Sequence, residues 1–259
     1  MRFIPIENAE IEVDLIDVKS RERAPIVFLH EGLGSIAMWR SRGSYWPQLV
    51  CQATRRNGVV YSRRGYGQSS SVDDVRGANR LQPDYMHHEA WKVLPELLSI
   101  LKIDNPVLLG HSDGATIALL FASRFPTLAC IAMAPHVMVE DISISAIKAA
   151  KLSYESGDLM NRLSKFHQDV DCAFWQWNDV WLSPAFRSFD IRKACQQITC
   201  PLLAIQGRQD AYGTLQQIED IAPTGLIERQ VVENCGHSPH RDQPDAILAY
   251  VTAFLADKA

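Results

Sequence analysis

The chain has 259 residues, of which 47% are hydrophobic and 22% are charged, as is usual for one globular domain of this size. Its formal net charge of −4 provides no basic surface for nucleic acid, so the sequence predicts no nucleic-acid partner. No apolar run reaches the roughly 18 residues that span a bilayer, and the first residues lack a secretory core. The sequence therefore predicts a cytoplasmic protein with no membrane partner.

Short apolar or alternating runs predict the strands of a sheet. In chain order, these runs cover residues 10–18, 26–29, 59–61, 107–109, 129–133, 202–205 and 226–232. The first run alternates like an edge strand or a hairpin arm, and most of the others are continuously apolar, as in strands covered on both faces. Helical patterns fall between the strands, at residues 91–101, 114–125 and 244–255. This alternation predicts an α/β fold with a mostly parallel, doubly wound sheet of about eight strands.

One segment interrupts the alternation of strands and helices. Residues 138–198 contain helical patterns and many aromatic residues, but no clear strand. We interpret this segment as a helical cap that is inserted after the fifth or sixth strand. Residues 1–137 and 199–259 then form the core of the protein.

The segment Gly110-His111-Ser112-Asp113-Gly114 places a serine between a predicted strand and a predicted helix. Gly-x-Ser-x-Gly at such a junction is the pattern of a nucleophile elbow, a sharp turn that exposes the serine hydroxyl above the sheet. The two glycines allow the strand and the helix to approach the turn closely. Ser112 is therefore the predicted nucleophile.

A serine hydroxyl needs a general base, and the base needs an acid that orients it. His237 lies in the loop after the last predicted strand, at the edge of the sheet where ligand-contacting loops lie, and His240 is the alternative base. Asp210 follows the preceding strand directly, whereas Glu219 and Asp220 are weaker candidates because they fall inside the next predicted helix. The chain order serine, aspartate, histidine is the order that enzymes with this elbow use.

An oxyanion intermediate needs two backbone N–H donors. One is predicted at Asp113, directly after the nucleophile, and the other in the glycine-rich loop after residues 26–29, at Gly32 or, one residue later, at Leu33. Neither this loop nor residues 65–69 forms a nucleotide-binding glycine pattern. No set of metal ligands is recognisable either, so the sequence predicts a site that uses no metal and no organic cofactor.

Four segments together resemble the α/β-hydrolase superfamily. They correspond to its oxyanion loop, the turn after the next strand, the nucleophile elbow and the base loop, at residues 30–35, 64–69, 110–114 and 236–237. The resemblance covers the core on both sides of the predicted cap and implies the α/β-hydrolase fold. The serine nucleophile is similar to that of the esterase-like branch, since haloalkane dehalogenases and epoxide hydrolases have an aspartate at this position.

Two residues depart from the pattern of the superfamily. Glu31 and Asp113 stand where many relatives have glycine and an apolar residue, respectively. An acidic side chain beside the nucleophile would select substrates by charge if it faced them. The alternative, which the sequence favours, is that Asp113 points away and pairs with Arg63 or Arg64.

The acyl pocket of such proteins lies between core and cap. The spacing of Trp175, Trp177 and Trp181 places at least two of them on one face of a helix, as in an apolar lid over the substrate, although docking of the cap onto the core is the favoured interpretation for any single one of them. Six residues are predicted to line the pocket: Leu33, Trp39, His136, Met138, Trp175 and Trp181. Because such pockets are mostly apolar, the predicted partner is a small-molecule substrate with an apolar or aromatic group. The protein is expected to be a monomer or a homodimer.

The predicted reaction is acyl transfer in two steps. Ser112 attacks a carbonyl while His237 removes its proton, and water then repeats the sequence on the acyl-enzyme. The predicted substrate is a small carboxylic ester. The alternatives are a C–C bond hydrolase of aromatic ring-cleavage products, an acyl-CoA thioesterase and a non-catalytic ligand receptor, because one fold serves many substrates.

Overall fold

The computed structural model describes residues 1–19, 23–41 and 43–258. Ten strands are found in these ranges: β1 (Arg2–Ile6), β2 (Ala9–Ile16), β3 (Ile26–Leu29), β4 (Arg40–Ser41), β5 (Ser44–Tyr45), β6 (Gly58–Tyr61), β7 (Val107–His111), β8 (Ala129–Met133), β9 (Leu202–Gly207) and β10 (Ile227–Val232). Strands β4 and β5 form a separate two-stranded sheet, and the other eight strands form one large sheet.

The large sheet has the strand order β1-β2-β6-β3-β7-β8-β9-β10. Strand β2 runs antiparallel to both of its neighbours, and all the other pairings are parallel. This topology confirms the predicted α/β fold with a mostly parallel sheet of about eight strands. The alternating run at residues 10–18 is the inner arm of a hairpin, because β1 covers its outer side.

Eleven α-helices occur within the described residues: α1 (Trp46–Thr54), α2 (Tyr85–His88), α3 (Leu94–Leu101), α4 (Asp113–Ala122), α5 (Asp141–Glu155), α6 (Asp158–Leu163), α7 (Val170–Trp181), α8 (Arg192–Cys195), α9 (Gln216–Glu219), α10 (Pro239–Asp242) and α11 (Pro244–Leu255). A π-helical turn, Glu89–Val93, joins α2 to α3, and two 3-10 turns lie at Ile36–Trp39 and Pro184–Ser188. Pro95 falls in the first turn of α3, where a missing N–H breaks no hydrogen bond within that helix. No helix in the described ranges is long and apolar enough to cross a membrane.

Both faces of the sheet are buried. In β3, Val27 and Leu29 belong to one apolar cluster, which also contains residues of α3, α4 and α7. Ile26 and Phe28 belong to a second cluster, which contains residues of α1 and α11. Because successive side chains of a strand point to opposite faces, a strand covered by helices on both sides must be continuously apolar. This explains why the central strands are easy to recognise in the sequence.

The helices α5 to α8 lie between β8, the sixth strand of the large sheet, and β9. Their buried aromatic residues belong to the same apolar cluster as α3 and α4 of the core. The helices therefore lie within the segment for which the cap is predicted, and they share this apolar cluster with the core. The division of the chain into a core and a separate cap at residues 138–198 stays a prediction.

Candidate active site

Ser112 occupies a strained turn between β7 and α4. Its backbone has φ 54° and ψ −120°, a conformation that non-glycine residues rarely adopt and that costs on the order of 1–3 kcal/mol. The Ser112 N–H donates to Met133 O at 2.9 Å, which fixes the turn to β8. A methyl group on Gly110 would clash with the backbone of Gly114, and one on Gly114 would clash with Leu29 O. Both glycines are therefore required by the close approach of strand and helix, as the motif predicts.

The structure brings the three predicted triad residues into one hydrogen-bonded chain. Ser112 Oγ lies 2.9 Å from His237 Nε2. His237 Nδ1 lies 2.9 Å from Asp210 Oδ1 and 2.8 Å from Asp210 Oδ2. Since a carboxylate only accepts, the ring proton belongs on Nδ1, which leaves Nε2 as the acceptor for the serine hydroxyl. This arrangement is the one that a general base needs in order to activate a serine.

The carboxylate of Asp210 is held by the residues around it. Gln206 Nε2 and the Tyr212 N–H each donate to it at 2.7 Å. Burial by itself raises the pKa of Asp210, but its hydrogen bond to His237, the charge of that ring and the Tyr212 N–H together bring the pKa below its ordinary value. Asp210 is therefore ionised at neutral pH. The Tyr212 ring also packs on His237, with centroids 4.7 Å apart.

The rival residues considered in the sequence lie elsewhere. His240 is buried against Trp39, at a centroid distance of 4.9 Å, and against His111, also at 4.9 Å. Asp220 pairs with Arg192 at 2.8 Å on the surface. Glu219 ends helix α9, beside Asp220.

The predicted oxyanion donors are the N–H groups of Asp113 and Gly32. Asp113 is the first residue of α4, so its N–H has no partner within the helix and lies at the positive end of the helix dipole. No acceptor among the described residues takes either N–H. Both residues line the same cavity as Ser112. The N–H of Leu33, the alternative donor, is equally unpaired within the described ranges.

Gly32 is in contact with the predicted cap. A methyl group on Gly32 would clash with Nε1 of Trp177, which belongs to α7. A residue with a side chain at position 32 would therefore displace the tryptophan or the loop. The indole of Trp177 occupies the space that such a side chain would fill.

The catalytic candidates open into a cavity of about 220 Å³ between the sheet and α5 to α7. Three of the six predicted pocket residues, Leu33, His136 and Trp181, line it. Two further residues that line the cavity, Trp177 and Tyr212, were not among the six. Trp177 and Trp181, four residues apart on α7, are the two tryptophans that the spacing noted in the sequence places on one face of a helix.

The other three predicted pocket residues are not among the described residues that line the cavity. Trp39 is buried below the oxyanion loop, stacked on Trp46 with centroids 6.0 Å apart. Met138 makes an isolated backbone bridge with Asp190. Trp175 packs against Arg76, whose guanidinium lies 3.7 Å from the ring. Trp175 precedes Trp181 by six positions, and such residues lie on different faces of an α-helix.

Comparison with known proteins identifies the family of the chain. The sequence pattern of the Alpha/beta hydrolase family matches residues 26–250. The chain belongs to the alpha/beta hydrolase family.

Individual alpha/beta hydrolases are similar to the whole chain. The 3-oxoadipate enol-lactonase 1 of Acinetobacter baylyi is 21% identical over 97% of this chain and 96% of its own length. The structure of the enol-lactonase from Burkholderia xenovorans superposes with a TM-score of 0.73 at 17% identity, covering 98% of this chain and all of the other. A meta-cleavage product hydrolase from Pseudomonas fluorescens superposes with a TM-score of 0.71 at 14% identity, covering 100% and 98% of the two chains. At these identities the solved structures support the fold alone.

Glu31, which stands where many relatives have glycine, holds the predicted oxyanion loop at residues 30–35 in place. Its carboxylate lies 3.2 Å from Arg241 Nη2 and 3.4 Å from His111 Nδ1. Burial raises the pKa of Glu31, but the contact with His111 and the charge of Arg241 outweigh burial and bring the pKa well below its ordinary value. Arg241 Nη2 also donates to Met38 O at 2.6 Å. Glu31 therefore ties the loop to the helix that follows the base.

Asp113, the second departure, is engaged by protein groups. Tyr85 Oη donates to Asp113 Oδ2 at 2.5 Å, and Trp181 Nε1 donates to Tyr85 Oη at 3.0 Å. Arg63 Nη2 lies 3.9 Å from the same carboxylate oxygen. Burial raises the pKa of Asp113, against the opposing effects of Arg63 and Tyr85. This geometry agrees with the alternative that the side chain pairs with an arginine.

Two further findings concern metals and thiols. Within the part of the chain that the structure describes, no group of three or more histidine, cysteine, aspartate or glutamate residues is arranged to hold a metal ion. All six cysteines are free and buried.

Proposed function

We propose that this alpha/beta hydrolase is a serine hydrolase that cleaves a small carboxylic ester, or a related acyl bond, through Ser112, His237 and Asp210. The observation that carries the proposal is the continuous hydrogen-bonded chain from the Ser112 hydroxyl to a buried, ionised Asp210, at the floor of a largely apolar cavity. Membership of the family and the similarity to enol-lactonases support hydrolysis of an ester-type bond, since a lactone is an internal ester.

The first step forms an acyl-enzyme. Ser112 Oγ attacks the carbonyl carbon while His237 Nε2 takes the hydroxyl proton, and Asp210 stabilises the imidazolium that results. The N–H groups of Asp113 and Gly32 donate to the oxyanion. His237 then gives its proton to the leaving oxygen, and the C–O bond to the alcohol breaks.

The second step returns the enzyme to its starting state. Water attacks the acyl carbon of the ester on Ser112 and gives a proton to His237 Nε2. Collapse of the second oxyanion releases the carboxylic acid, and His237 returns the proton to the serine oxygen. No redox change occurs, and one water molecule is consumed in each turnover.

The walls of the cavity favour an uncharged acyl group. Most of the lining is apolar, with Leu33, Ile147, Leu163 and Trp177 among its residues. Among the described residues that line the cavity, none is lysine or arginine. A carboxylate on the substrate would therefore be desolvated without a cation to compensate it. We propose a compact, uncharged acyl group.

The test compares esters with thioesters. A set of short acyl groups is presented as 4-nitrophenyl esters and as CoA thioesters, and kcat/KM is measured for the wild type, Ser112→Ala and the control Ser145→Ala, whose serine is exposed on α5. A strong preference for esters that only Ser112→Ala abolishes supports the proposal. A preference for thioesters would make the protein a thioesterase.

A second readout separates an inactive receptor from an enzyme with another substrate. A fluorophosphonate probe labels an activated serine without requiring the natural substrate. Labelling of Ser112 without turnover of any ester would direct attention to C–C bond substrates. Absence of labelling in the wild type would contradict the proposed chemistry and favour a receptor.

A further inference from the structure

The imidazole ring of His136 lies in the cavity wall, and the proposed reaction does not use this ring. The residue is 3% exposed and lines the cavity. Its backbone is fixed on both sides by Thr116, whose hydroxyl accepts from the His136 N–H at 3.0 Å and donates to the His136 carbonyl at 2.9 Å. The ring therefore has a defined position in the wall.

The ring lies close to the reacting groups. Its centroid is 5.5 Å from that of His237, which itself contacts the nucleophile, and 4.9 Å from that of Trp181, which it meets edge-on at 72°. A group that contacts His136 would therefore lie only a few bonds from the scissile carbonyl of a substrate on Ser112.

The ring nitrogens of His136 have no partner in the described part of the protein. Nδ1 is fully buried without a hydrogen bond, and no described residue donates to or accepts from Nε2. A buried N–H without an acceptor is rarer in proteins than an under-satisfied acceptor. The favoured tautomer thus leaves the bare lone pair on Nδ1 and the proton on Nε2, the nitrogen that remains available to a ligand.

His136 is neutral over the pH range in which enzymes are assayed. Burial, reinforced by the positive charge of His237, lowers the pKa of His136 to about 3, and Asp210 opposes this only in part. The ring is therefore a neutral donor and not a counter-ion for a carboxylate. An uncharged oxygen acceptor is the matching chemical group.

We propose that His136 is a specificity-determining residue whose Nε2–H donates a hydrogen bond to a second, uncharged oxygen of the substrate. The substrate class is then a compact ester that carries a keto, hydroxyl or ether oxygen a few bonds from the carbonyl under attack. This inference rests on the proposed ester hydrolysis and narrows its substrate. It also gives a role to a buried polar side chain of the cavity that the proposed reaction does not use.

The test uses matched pairs of esters. Each 4-nitrophenyl alkanoate is paired with analogues in which one methylene at the third, fourth or fifth carbon is replaced by a keto group, a hydroxymethylene or an ether oxygen. A second set places the oxygen in the alcohol, as in ethyl and 2-methoxyethyl esters. The ratio of kcat/KM between each oxygenated ester and its alkyl partner is the measured quantity, for the wild type and for variants of His136.

We expect at least one oxygenated ester to exceed its alkyl partner by about tenfold, which is the range of one neutral hydrogen bond. His136→Phe keeps a planar ring against Trp181 but has no donor, so this ratio should fall to about one. His136→Gln retains an N–H donor and should recover part of the preference. The control His88→Phe, at an exposed histidine paired with Glu7, should leave the ratio unchanged.

The possible outcomes separate this inference from the proposed function. If the wild type hydrolyses esters but prefers no oxygenated member, or if His136→Phe keeps the preference, the inference is overturned while ester hydrolysis stands. If His136→Phe does not fold, as judged by its thermal midpoint, His136→Leu replaces it in the same comparison. If the wild type hydrolyses no ester and fluorophosphonate does not label Ser112, the proposed function fails and this inference fails with it.

Discussion

Replacing Asp210 with asparagine exchanges one oxygen of the triad for an amide group and removes its charge. In the wild type, both carboxylate oxygens lie within 2.9 Å of His237 Nδ1. In Asp210→Asn, an amide NH₂ that faces Nδ1 would stabilise the tautomer with its proton on Nε2. That tautomer presents an N–H to Ser112, where an acceptor is required.

The size of the effect follows from the contact of Asp210 with the imidazolium. At an effective dielectric constant of about 20, two unit charges about 3.5 Å apart attract each other by roughly 5 kcal/mol. Each 1.36 kcal/mol of lost transition-state stabilisation corresponds to about tenfold in rate. We therefore expect Asp210→Asn to lower kcat by about 10³- to 10⁴-fold and to change KM little, because Asp210 does not line the cavity.

The assay measures kcat and KM for one 4-nitrophenyl ester with the wild type, Asp210→Asn and a control. Asp220→Asn is the matched control, since Asp220 was a candidate acid in the sequence and lies on the surface with Arg192. Circular dichroism and the thermal midpoint establish that both variants are folded. A folded Asp210→Asn variant with kcat within tenfold of the wild type would refute the role of Asp210 as the orienting acid.

Three further predictions concern the surroundings of the triad. Gly32→Ala should lower the free energy of unfolding in urea by about 1–3 kcal/mol, because the added methyl clashes with the indole of Trp177. In the double variant with Trp177→Leu, most of that free energy should be recovered. If the losses of the two single variants simply add in the double variant, the proposed clash is contradicted. Asp113→Asn should leave the preference between neutral and anionic esters unchanged, because the carboxylate is already engaged by Tyr85; a shift towards anionic esters in kcat/KM would restore the substrate-selecting role. In the folded protein the pKa of Glu31 lies well below its ordinary value of 4.5. The ionised carboxylate therefore stabilises the folded state at pH values above 4.5, and this stabilisation is lost as the pH falls from 4.5 through the folded pKa. Glu31→Gln should therefore flatten the acid side of a stability-against-pH curve, and an acid side identical to that of the wild type would contradict this account.

The sequence predicted the structure best where a pattern of a few neighbouring residues is enough to identify the element it forms. The continuously apolar strands at residues 26–29, 107–109 and 129–133 mark a sheet buried on both faces, and the structure confirms it. The motif around Ser112 combines two glycines with a strand-to-helix junction, and both glycines are enforced by backbone contacts. His237 and Asp210 could be selected because each follows a strand at the edge of the sheet where Ser112 emerges.

The residues that line the pocket were harder to predict, because its walls form through contacts between segments that are distant in the sequence. Trp175 and Trp177 are two residues apart on one helix, yet one packs under Arg76 at the surface and the other lines the cavity against Gly32. Trp39 follows the predicted oxyanion loop, a position that predicts a pocket residue, whereas in the structure it is buried against Trp46. The segment that packs against a helix or a loop decides which of its faces is buried. The local sequence pattern does not identify that segment.

By itself, the sequence determined the family, the parallel sheet and the three residues proposed for the triad, because each is encoded by a pattern within a few positions of the chain. The tertiary structure decided the rest. It set the engagement of Asp113 by Tyr85, the ring nitrogens of His136 that lack a hydrogen-bond partner among the described residues, and the packing of the tryptophans of α7. These features depend on which side chains from distant segments meet in the folded chain, and packing of that kind has no short-range signature.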